Sequence, residues 1–267
     1  MVVALIWLKG AKGRQTMRID TIYRYPVKGL TPEPLTRADL RPGRALDWDR
    51  AFALAQGDCR FDDARPAWRP KTEFLCLARN VEAAQLTSRF DETTGMLTLT
   101  APGGAEIGAS PLTPDGRAAI AGFIAAALPT AMRGNPRFVH IDGHSFCDHD
   151  GQVISLIGLP SLQSLSQAAG APRQPLRFRA NLYLAGLAPW EEFGWIGKTL
   201  EIGGAKLRVT ERINRCAATC VNPETKRRDA NPVKELMDHF GHVDCGIFAE
   251  VIAGGIIEPG ASIQLAR

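Results

Sequence analysis

The sequence predicts a β-rich α+β protein with β-barrel architecture. Three observations predict this class: short stretches of alternating apolar and polar residues recur along the chain, few segments have helix signals, and glycine pairs separate predicted strands. Many short antiparallel strands with few helices are typical of barrels. The pattern changes near residues 130–145, so we expect an N-terminal β-barrel-like module over residues 17–135 and a second barrel with peripheral helices over residues 136–267.

The predicted strands of the first half are short and mostly alternate. Residues 19–25 carry apolar or aromatic side chains at every second position and are stopped by Pro26, which predicts a half-buried strand. Residues 52–54 and 97–100 alternate in the same way. These segments predict the strands of the first module.

Three helices are predicted. The first has Thr113 as its N-cap and Pro114 at its first position, and a second, shorter helix is expected over residues 161–170. The third helix runs from Asn231 as its cap to Gly241, where glycine ends it. Its predicted apolar face consists of Val233, Leu236, Met237 and Phe240.

The second half has a strong strand signal in "LRFRANLYLAG", which begins at Leu176. Alternation along that strand would place Arg179 and Asn181 on one polar face. Two hairpins are predicted at Gly203–Gly204 and Gly254–Gly255, because glycine permits the positive φ angles of tight turns.

Composition excludes several functional classes. The chain of 267 residues is 45% hydrophobic and 22% charged, and its formal net charge is +4. No run of five or six like charges occurs, so a basic tail that binds a nucleic-acid polymer is not expected, whereas a local basic pocket is compatible with the sequence. Six cysteines without regular spacing argue against a disulfide scaffold and predict free thiols in a reducing cytoplasm.

The N-terminus carries a short apolar run over residues 2–8. This run is too short to cross a bilayer, and no other stretch approaches the necessary length, so no membrane association is expected. Met17 opens a clean strand pattern, which predicts that residues 1–16 are an extension from an upstream start codon. A degenerate signal peptide is the alternative interpretation.

The segment "NRCAATCVNPET" places Cys216 and Cys220 four residues apart, with Arg215 directly before the first. A zinc site needs four ligands and this segment supplies two, while a disulfide is not expected in a reducing compartment. A thiolate beside Arg215 would be a good soft metal ligand or nucleophile. Two buried structural thiols are an equally good interpretation from spacing alone, and Cys220, in an apolar context, is the more structural of the pair.

Basic and amide side chains form two further candidates. Lys28 in "YPVKG" follows a strand end and is either a surface lysine or a cation that holds a phosphate. Arg179 and Asn181 either face solvent or grip a phosphate or a heterocycle edge.

Two segments are rich in potential metal ligands. Residues 140–150, "HIDGHSFCDHD", are either a solvated loop or a loop that hydrogen-bonds a ligand. His239, His242 and Cys245 have spacing compatible with zinc, but no fourth ligand is near in sequence, so a mixture of cap, surface and core residues is the better interpretation.

Four motifs in order along the chain carry a family resemblance. "YPVKG", "FRANLYLAG", "RCAATCVNPET" and "GGIIEPGASIQL" together resemble the MOSC family, the domain related to the C-terminal part of molybdenum cofactor sulfurase. The resemblance covers about residues 17–265. It includes the β-barrel module that precedes MOSC in the branch that holds the mitochondrial amidoxime-reducing component and bacterial reductases of N-hydroxylated bases. It therefore implies a MOSC N-terminal module followed by a MOSC β-barrel.

The resemblance implies a metal ligand and its neighbour. In the family pattern R-C-x-x-T-x-V-x-P-x-T the cysteine ligates molybdenum, and the pattern falls here on Arg215 and Cys216. Cys216 is thus the implied catalytic ligand, and Cys220 stands where the pattern does not bind metal.

The resemblance also implies a set of side chains that hold the pterin of the molybdenum cofactor. Lys28 would contact the pterin phosphate, and Lys71 stands where relatives carry arginine. Arg179 and Asn181 keep their spacing although alanine replaces the family's proline between them. The loop aspartate of the family would be Asp148, and less securely Asp150.

The implied activity is a molybdenum-cofactor oxidoreductase that reduces N-hydroxylated small molecules. The ferredoxin spacing C-x4-C-x2-C occurs nowhere in the sequence, so we expect a separate ferredoxin or reductase as electron donor. The alternative is a non-catalytic carrier of the cofactor or its sulfur. Kinship with the sulfurase also suggests pyridoxal phosphate, but no segment resembles a pyridoxal-lysine site.

Overall fold

A computed structural model describes residues 16–266 of the chain. The predicted N-terminal extension lies outside these residues, apart from Thr16. Within them the chain forms three α-helices, which are α1 (Pro114–Ala127), α2 (Leu159–Ala168) and α3 (Pro232–Phe240). It also forms fifteen strands: β1 (Arg18–Arg24), β2 (Glu33–Leu35), β3 (Ala38–Leu40), β4 (Phe52–Ala55), β5 (Thr87–Asp91), β6 (Met96–Thr100), β7 (Glu106–Ala109), β8 (Arg137–His140), β9 (Ile154–Gly158), β10 (Leu182–Ala185), β11 (Thr199–Ile202), β12 (Ala205–Asn214), β13 (Asp244–Ala253), β14 (Gly255–Ile257) and β15 (Ile263–Leu265).

The largest sheet has eight strands in the order β15-β11-β12-β13-β9-β10-β1-β2. Its pairs are antiparallel except β9 with β10, which run parallel. Apolar side chains on one side of these strands form a common core, among them Ile19, Leu156, Leu184, Leu207 and Ile247. The predicted β-rich α+β class is confirmed.

A second group of elements lies between β3 and β9 in the chain. Strand β4 pairs with β8, and β5, β6 and β7 form an antiparallel sheet. Helix α1 packs its buried Ile120 and Ile124 into the core that these strands share, together with Leu97 and Leu99. The alternation of residues 97–100 therefore correctly predicted a buried face.

The first three strands lie outside the second group: β1 and β2 belong to the large sheet, and β3 forms a separate two-stranded sheet with β14. Strand β1 pairs with β10, and β3 pairs with β14 near the C-terminus. Strands from both sides of the predicted boundary at residue 135 thus share the same sheets. The boundary itself stays a prediction.

The strand predicted from Leu176 is wrong over its first half, since β10 begins only at Leu182. Pro175–Arg177 forms a 3₁₀ turn, and Arg179 adopts the left-handed conformation with φ 53°. Arg179 donates a hydrogen bond to the Leu30 carbonyl at 2.7 Å, a partner 149 positions away. Such long-range contacts override the local alternation, so Arg179 and Asn181 do not share one strand face.

The hairpin at Gly203–Gly204 is confirmed, but the one at Gly254–Gly255 is wrong because β14 leaves β13 and pairs with β3. Glycine is required there for close packing. A Cβ on Gly255 would lie 2.5 Å from the Ala205 nitrogen.

The predicted helix signals are mostly confirmed. The Asn231 side chain accepts a hydrogen bond from the Lys234 amide at 3.1 Å, and Gly241 ends α3 with φ 73°. Thr113 caps α1 in the same manner. The predicted apolar face of α3 is wrong at one position, because the Met237 side chain is 50% exposed.

No helix within residues 16–266 is long and apolar enough to span a membrane.

We expect Gly246→Ala to destabilise the fold by about 3 kcal/mol, because two costs add at this position. Gly246 has φ 83°, and an added Cβ would lie 2.5 Å from the Leu156 carbonyl oxygen. Gly204→Ala is the matched control, since Gly204 has φ 85° but no atom within 4 Å of the built Cβ. Urea denaturation should show a clearly smaller loss in free energy of unfolding for Gly204→Ala than for Gly246→Ala. Equal losses would contradict the steric argument.

Candidate functional site

A cavity of about 310 Å³ lies where the end of β12, the loop before β9 and the segment after β1 meet. All seven side chains that the sequence analysis assigned to a cofactor site border this cavity: Lys28, Lys71, Asp148, Arg179, Asn181, Arg215 and Cys216. They come from segments far apart in the chain. The volume is in the range of small-molecule sites.

Lys28 is held at the cavity by the turn after β1. Val27 bridges to Phe52, and Gly29 continues the turn with φ 84°, where an added Cβ would lie 2.9 Å from the Leu75 carbonyl oxygen. The Lys28 side chain is buried, and its ammonium donates to the Phe146 carbonyl at 2.7 Å and to the Asp148 carboxylate. A buried cation is thus fixed at the cavity wall.

Asp148 bridges two ammonium groups. Its carboxylate pairs with Lys28 and, at 3.3 Å, with Lys71. The Asp148 side chain is 47% exposed, and its partial burial disfavours the charged form, but the two lysines outweigh this effect and hold the pKa of Asp148 well below its usual range. For Lys71, burial lowers the pKa, yet Asp148 and the neighbouring Cys216 outweigh that effect and the pKa is raised. Lys71 is therefore the cation that links the carboxylate to the cysteine.

Two guanidinium groups stack on a buried tyrosine. Arg179 lies 4.2 Å and Arg50 lies 4.4 Å from the centroid of the Tyr25 ring. Burial lowers the pKa of Arg179 to about 10 and raises the pKa of Tyr25 to about 12. Arg50 also donates to the Arg179 carbonyl at 2.8 Å and pairs with Asp49. Sequence analysis missed Arg50, whose local signal is only the charged pair Asp49–Arg50 shortly before β4.

Asn181 ties three strands together beside the cavity. Its side-chain oxygen accepts from the Ser155 amide at 3.1 Å and the Ser155 hydroxyl at 2.8 Å, and its nitrogen donates to the Tyr23 carbonyl at 3.2 Å. These bonds connect the residue directly before β10 to β9 and β1. Its predicted contact with a pterin stays a prediction.

Arg215 points to the protein main chain. It donates to the Cys245 carbonyl through two nitrogens and to the Phe178 carbonyl at 2.8 Å. Burial lowers the pKa of this guanidinium. Arg215 therefore shapes the wall behind Cys216, while Lys71 is the cation that lies beside the cysteine on the cavity side.

Cys216 and Cys220 differ in their surroundings. Cys216 is half-buried, borders the cavity and begins a 3₁₀ turn over Ala217–Cys220, in which the Thr219 amide donates to its carbonyl at 3.0 Å. Cys220 is 9% exposed, does not border the cavity and lies 3.8 Å from the Asn231 side chain. Burial raises the pKa of the Cys220 thiol. Of these two cysteines, Cys216 is thus the one available to a ligand in the cavity.

The loop over residues 140–150 contributes Cys147, Asp148 and His149 to the cavity wall. The Cys147 thiol donates to the His149 carbonyl at 3.1 Å, and burial raises its pKa. Sequence analysis considered this loop but singled out only the aspartates. All six cysteines, which lie within residues 16–266, are unpaired.

The segment with His239, His242 and Cys245 does not gather its side chains. His239 is exposed at the end of α3, His242 packs against Trp190, and Cys245 is fully buried. Among the residues that the structure describes, no cluster of three or more His, Cys, Asp or Glu side chains has a geometry for a metal ion. The interpretation as cap, surface and core residues fits these positions.

We expect Asp148→Asn to lose stability at neutral pH, because the carboxylate pairs with both lysines. A carboxyl group with a depressed folded pKa stabilises the fold above its unfolded value of about 3.8, and this stabilisation is lost as pH falls through the folded value. The difference in free energy of unfolding between wild type and variant should therefore shrink below pH 4. The measurement is urea denaturation from pH 3 to pH 8, with the exposed Asp150→Asn as control. A gap that does not change with pH would contradict the ion-pair assignment.

Comparison with known proteins places two domains on the chain. Residues 16–120 match the MOSC N-terminal beta barrel domain and residues 143–264 match the MOSC domain. No curated protein matches the chain.

Solved structures with similarity include two proteins named YiiM. The one from Geobacillus stearothermophilus is 21% identical over 43% of this chain and 54% of its own, with a TM-score of 0.34. The one from Escherichia coli is 21% identical over 43% of this chain and 62% of its own, with a TM-score of 0.30. The match thus spans little more than half the length of the YiiM proteins.

A third solved structure, the YUAD protein from Bacillus subtilis, is 13% identical over 94% of this chain and 95% of its own, with a TM-score of 0.42. The two domain matches are consecutive and together take in nearly all of the described strands. The chain therefore belongs to the MOSC family, with a MOSC N-terminal β-barrel domain ahead of its MOSC domain.

Proposed function

We propose that this protein binds a molybdenum cofactor through Cys216 and reduces N-hydroxylated small molecules with electrons from a separate donor protein. The observation that carries the proposal is that a half-buried cysteine and a group of cations border one cavity. The MOSC family includes proteins that bind this cofactor.

The donor set at the cavity fits such a cofactor. A cysteine thiolate is the soft ligand that molybdenum with sulfur ligands requires. Lys28, Lys71 and Arg179 offer positive charge to a phosphate, and Arg50 adds a fourth cation on the same wall. Asp148 already pairs with both lysines, so a phosphate bound there would share their positive charge with this carboxylate.

Each residue then has a defined task. Cys216 would hold the metal, and the cations would fix the phosphate of the pterin. Lys71 would offer positive charge beside the metal ligand, because its ammonium pairs with Asp148 and lies near Cys216. Asn181 and Arg215 are bound to main-chain groups and would hold the wall rigid. When bound, the cofactor would supply the two-electron chemistry that removes oxygen from an N-hydroxyl group.

Turnover of an aromatic amidoxime with a chemically reduced dye tests the proposal. The protein should be purified from a host that makes the cofactor, and product amidine should accumulate over many turnovers per bound molybdenum. A protein that binds the cofactor and transfers it to an apo-enzyme without any amidine product would instead be a carrier. That result would overturn the proposed activity while keeping the binding site.

A further inference from the structure

Asp49 is a buried carboxylate that has no task in the proposed chemistry. Its side chain is 2% exposed, and it borders the cavity beside Arg50. One carboxylate oxygen accepts from the Tyr25 amide at 2.8 Å, and the other pairs with an Arg50 nitrogen at 2.5 Å. A charge this deeply buried is costly unless it is paired and hydrogen-bonded, so its partners indicate what it does.

The backbone is strained on both sides of Asp49. Trp48 has φ 62° and Arg50 has φ 50°, in the left-handed region that non-glycine residues rarely adopt. Arg179, the other guanidinium on the Tyr25 ring, also lies in this region, with φ 53°. Such conformations persist only where the surrounding contacts fix them, and they are frequent at functional sites. Two of these three strained residues are the arginines that border the cavity.

Three contacts hold the Arg50 guanidinium in the cavity wall. It pairs with Asp49, donates to the Arg179 carbonyl at 2.8 Å and stacks on the Tyr25 ring at 4.4 Å. Only the contact with Asp49 is an ion pair. Burial lowers the pKa of Arg50, but Asp49 and Tyr25 outweigh this effect and the pKa is raised. Asp49 is therefore the partner that keeps a buried cation at this place.

Loss of the Asp49 charge would have two opposite effects on an anion in the cavity. Removal of a negative charge makes the potential in the cavity more positive, which favours phosphate binding. However, the two guanidinium groups on the Tyr25 ring repel each other, and Asp49 pairs with Arg50 against this repulsion. Orientation should dominate, because the directional hydrogen bonds of a guanidinium to phosphate require its plane to be fixed.

We propose that Asp49 is a positioning residue that fixes the Arg50 guanidinium in the cavity wall, so that Arg50 can bind the phosphate of the cofactor. This assignment rests on the proposed function, since it concerns the same cavity. The competing explanation is that Asp49 only stabilises the turn before β4 through the Tyr25 amide. Asp49→Asn separates the two explanations, because the asparagine oxygen can still accept from that amide while its NH₂ group cannot accept from Arg50.

The first test needs no cofactor and observes the guanidinium directly. The ¹H–¹⁵N NMR spectrum of the full wild-type chain should show separate signals for the two Nη groups of Arg50, because its contacts stop rotation of the guanidinium. Loss of these signals in Arg50→Lys assigns them. They should merge in Asp49→Asn and stay separate in Asp47→Asn, the matched control, which removes a carboxylate that pairs with the exposed Arg41 in the same segment. Signals that stay separate in Asp49→Asn would overturn the proposal.

The second test measures cofactor retention after gel filtration, by molybdenum and pterin analysis of variants that thermal unfolding shows to be folded. Asp49→Asn should lose the cofactor about tenfold more readily than wild type, which is the effect of one hydrogen bond to a charged group. The double variant with Arg50→Met should lose no more than Arg50→Met alone, because Asp49 acts through Arg50. Retention in Asp49→Asn equal to or tighter than wild type, or losses that multiply in the double variant, would overturn the proposal.

The two tests also separate this proposal from the proposed function. Wild-type protein purified without molybdenum and pterin would overturn the proposed function, and the NMR spectra would still decide whether Asp49 orients Arg50. Wild-type protein that holds the cofactor, together with an Asp49→Asn variant that holds it equally well, would overturn the positioning role alone.

Discussion

Cys216→Ser is expected to reduce amidoxime turnover to the level of the cofactor-free protein. The half-buried Cys216 thiol borders the cavity. Two other cysteines border it as well, but Cys147 donates its thiol to the His149 carbonyl and Cys76 is buried, at 5% exposure. Cys220 lies away from the cavity. A serine hydroxyl is a hard ligand with a much higher pKa, so it would not replace a soft thiolate. The measurement is initial rate with a reduced dye, normalised to protein.

Cys220→Ser is the matched control for this prediction. Its side chain is buried near Asn231, so the variant should lose about 1 kcal/mol of stability and keep its turnover. Activity lost at Cys220 and retained at Cys216 would show that the metal ligand is assigned to the wrong cysteine. Full activity in both variants would mean that neither thiol carries the reaction.

Lys28→Met is expected to release the cofactor at least about tenfold more readily than wild type. The variant keeps an unbranched side chain but removes the buried ammonium that pairs with Asp148 and bonds the Phe146 carbonyl. A hydrogen bond to a charged group contributes about 1.5–3 kcal/mol, and 1.4 kcal/mol is a factor of ten in affinity. Gel filtration followed by pterin and molybdenum analysis measures the fraction retained.

Lys206→Met removes the same charge from an exposed position on β12 and serves as control. It should retain the cofactor like wild type, because surface ion pairs contribute little. Thermal unfolding of both variants without cofactor shows whether Lys28→Met remains folded. A folded Lys28→Met that retains the cofactor fully would contradict the phosphate assignment.

Local signals in the sequence predicted the local features of this fold. The Thr113 and Asn231 caps and the hairpin at Gly203–Gly204 depend on residues within a few positions, so the sequence pattern was sufficient. The segment before β10 and the path of β14 depend on partners far along the chain. Alternation therefore misassigned them, since it contains no information on distant contacts.

In the candidate site, too, some residues could be identified from sequence motifs, whereas others depend on contacts between distant parts of the chain. The family resemblance pointed to residues such as Lys28 and Cys216, and the structure brings them to one cavity. Arg50 and the hydrogen-bonded pair of His149 and Glu211, which also border the cavity, lie in no recognised motif. Their placement arises from contacts over 129 positions, between Arg50 and Arg179, and over 62 positions, between His149 and Glu211. Only the folded chain reveals such pairs.

The central claim is that Cys216 is the protein ligand of a molybdenum cofactor. X-ray absorption at the molybdenum edge tests it most directly, with wild type and Cys216→Ser both purified from a host that makes the cofactor. We predict that wild type contains molybdenum and pterin and that any molybdenum bound by Cys216→Ser has one sulfur neighbour fewer. Wild-type protein without molybdenum, or a sulfur count that is unchanged in Cys216→Ser, would contradict the claim.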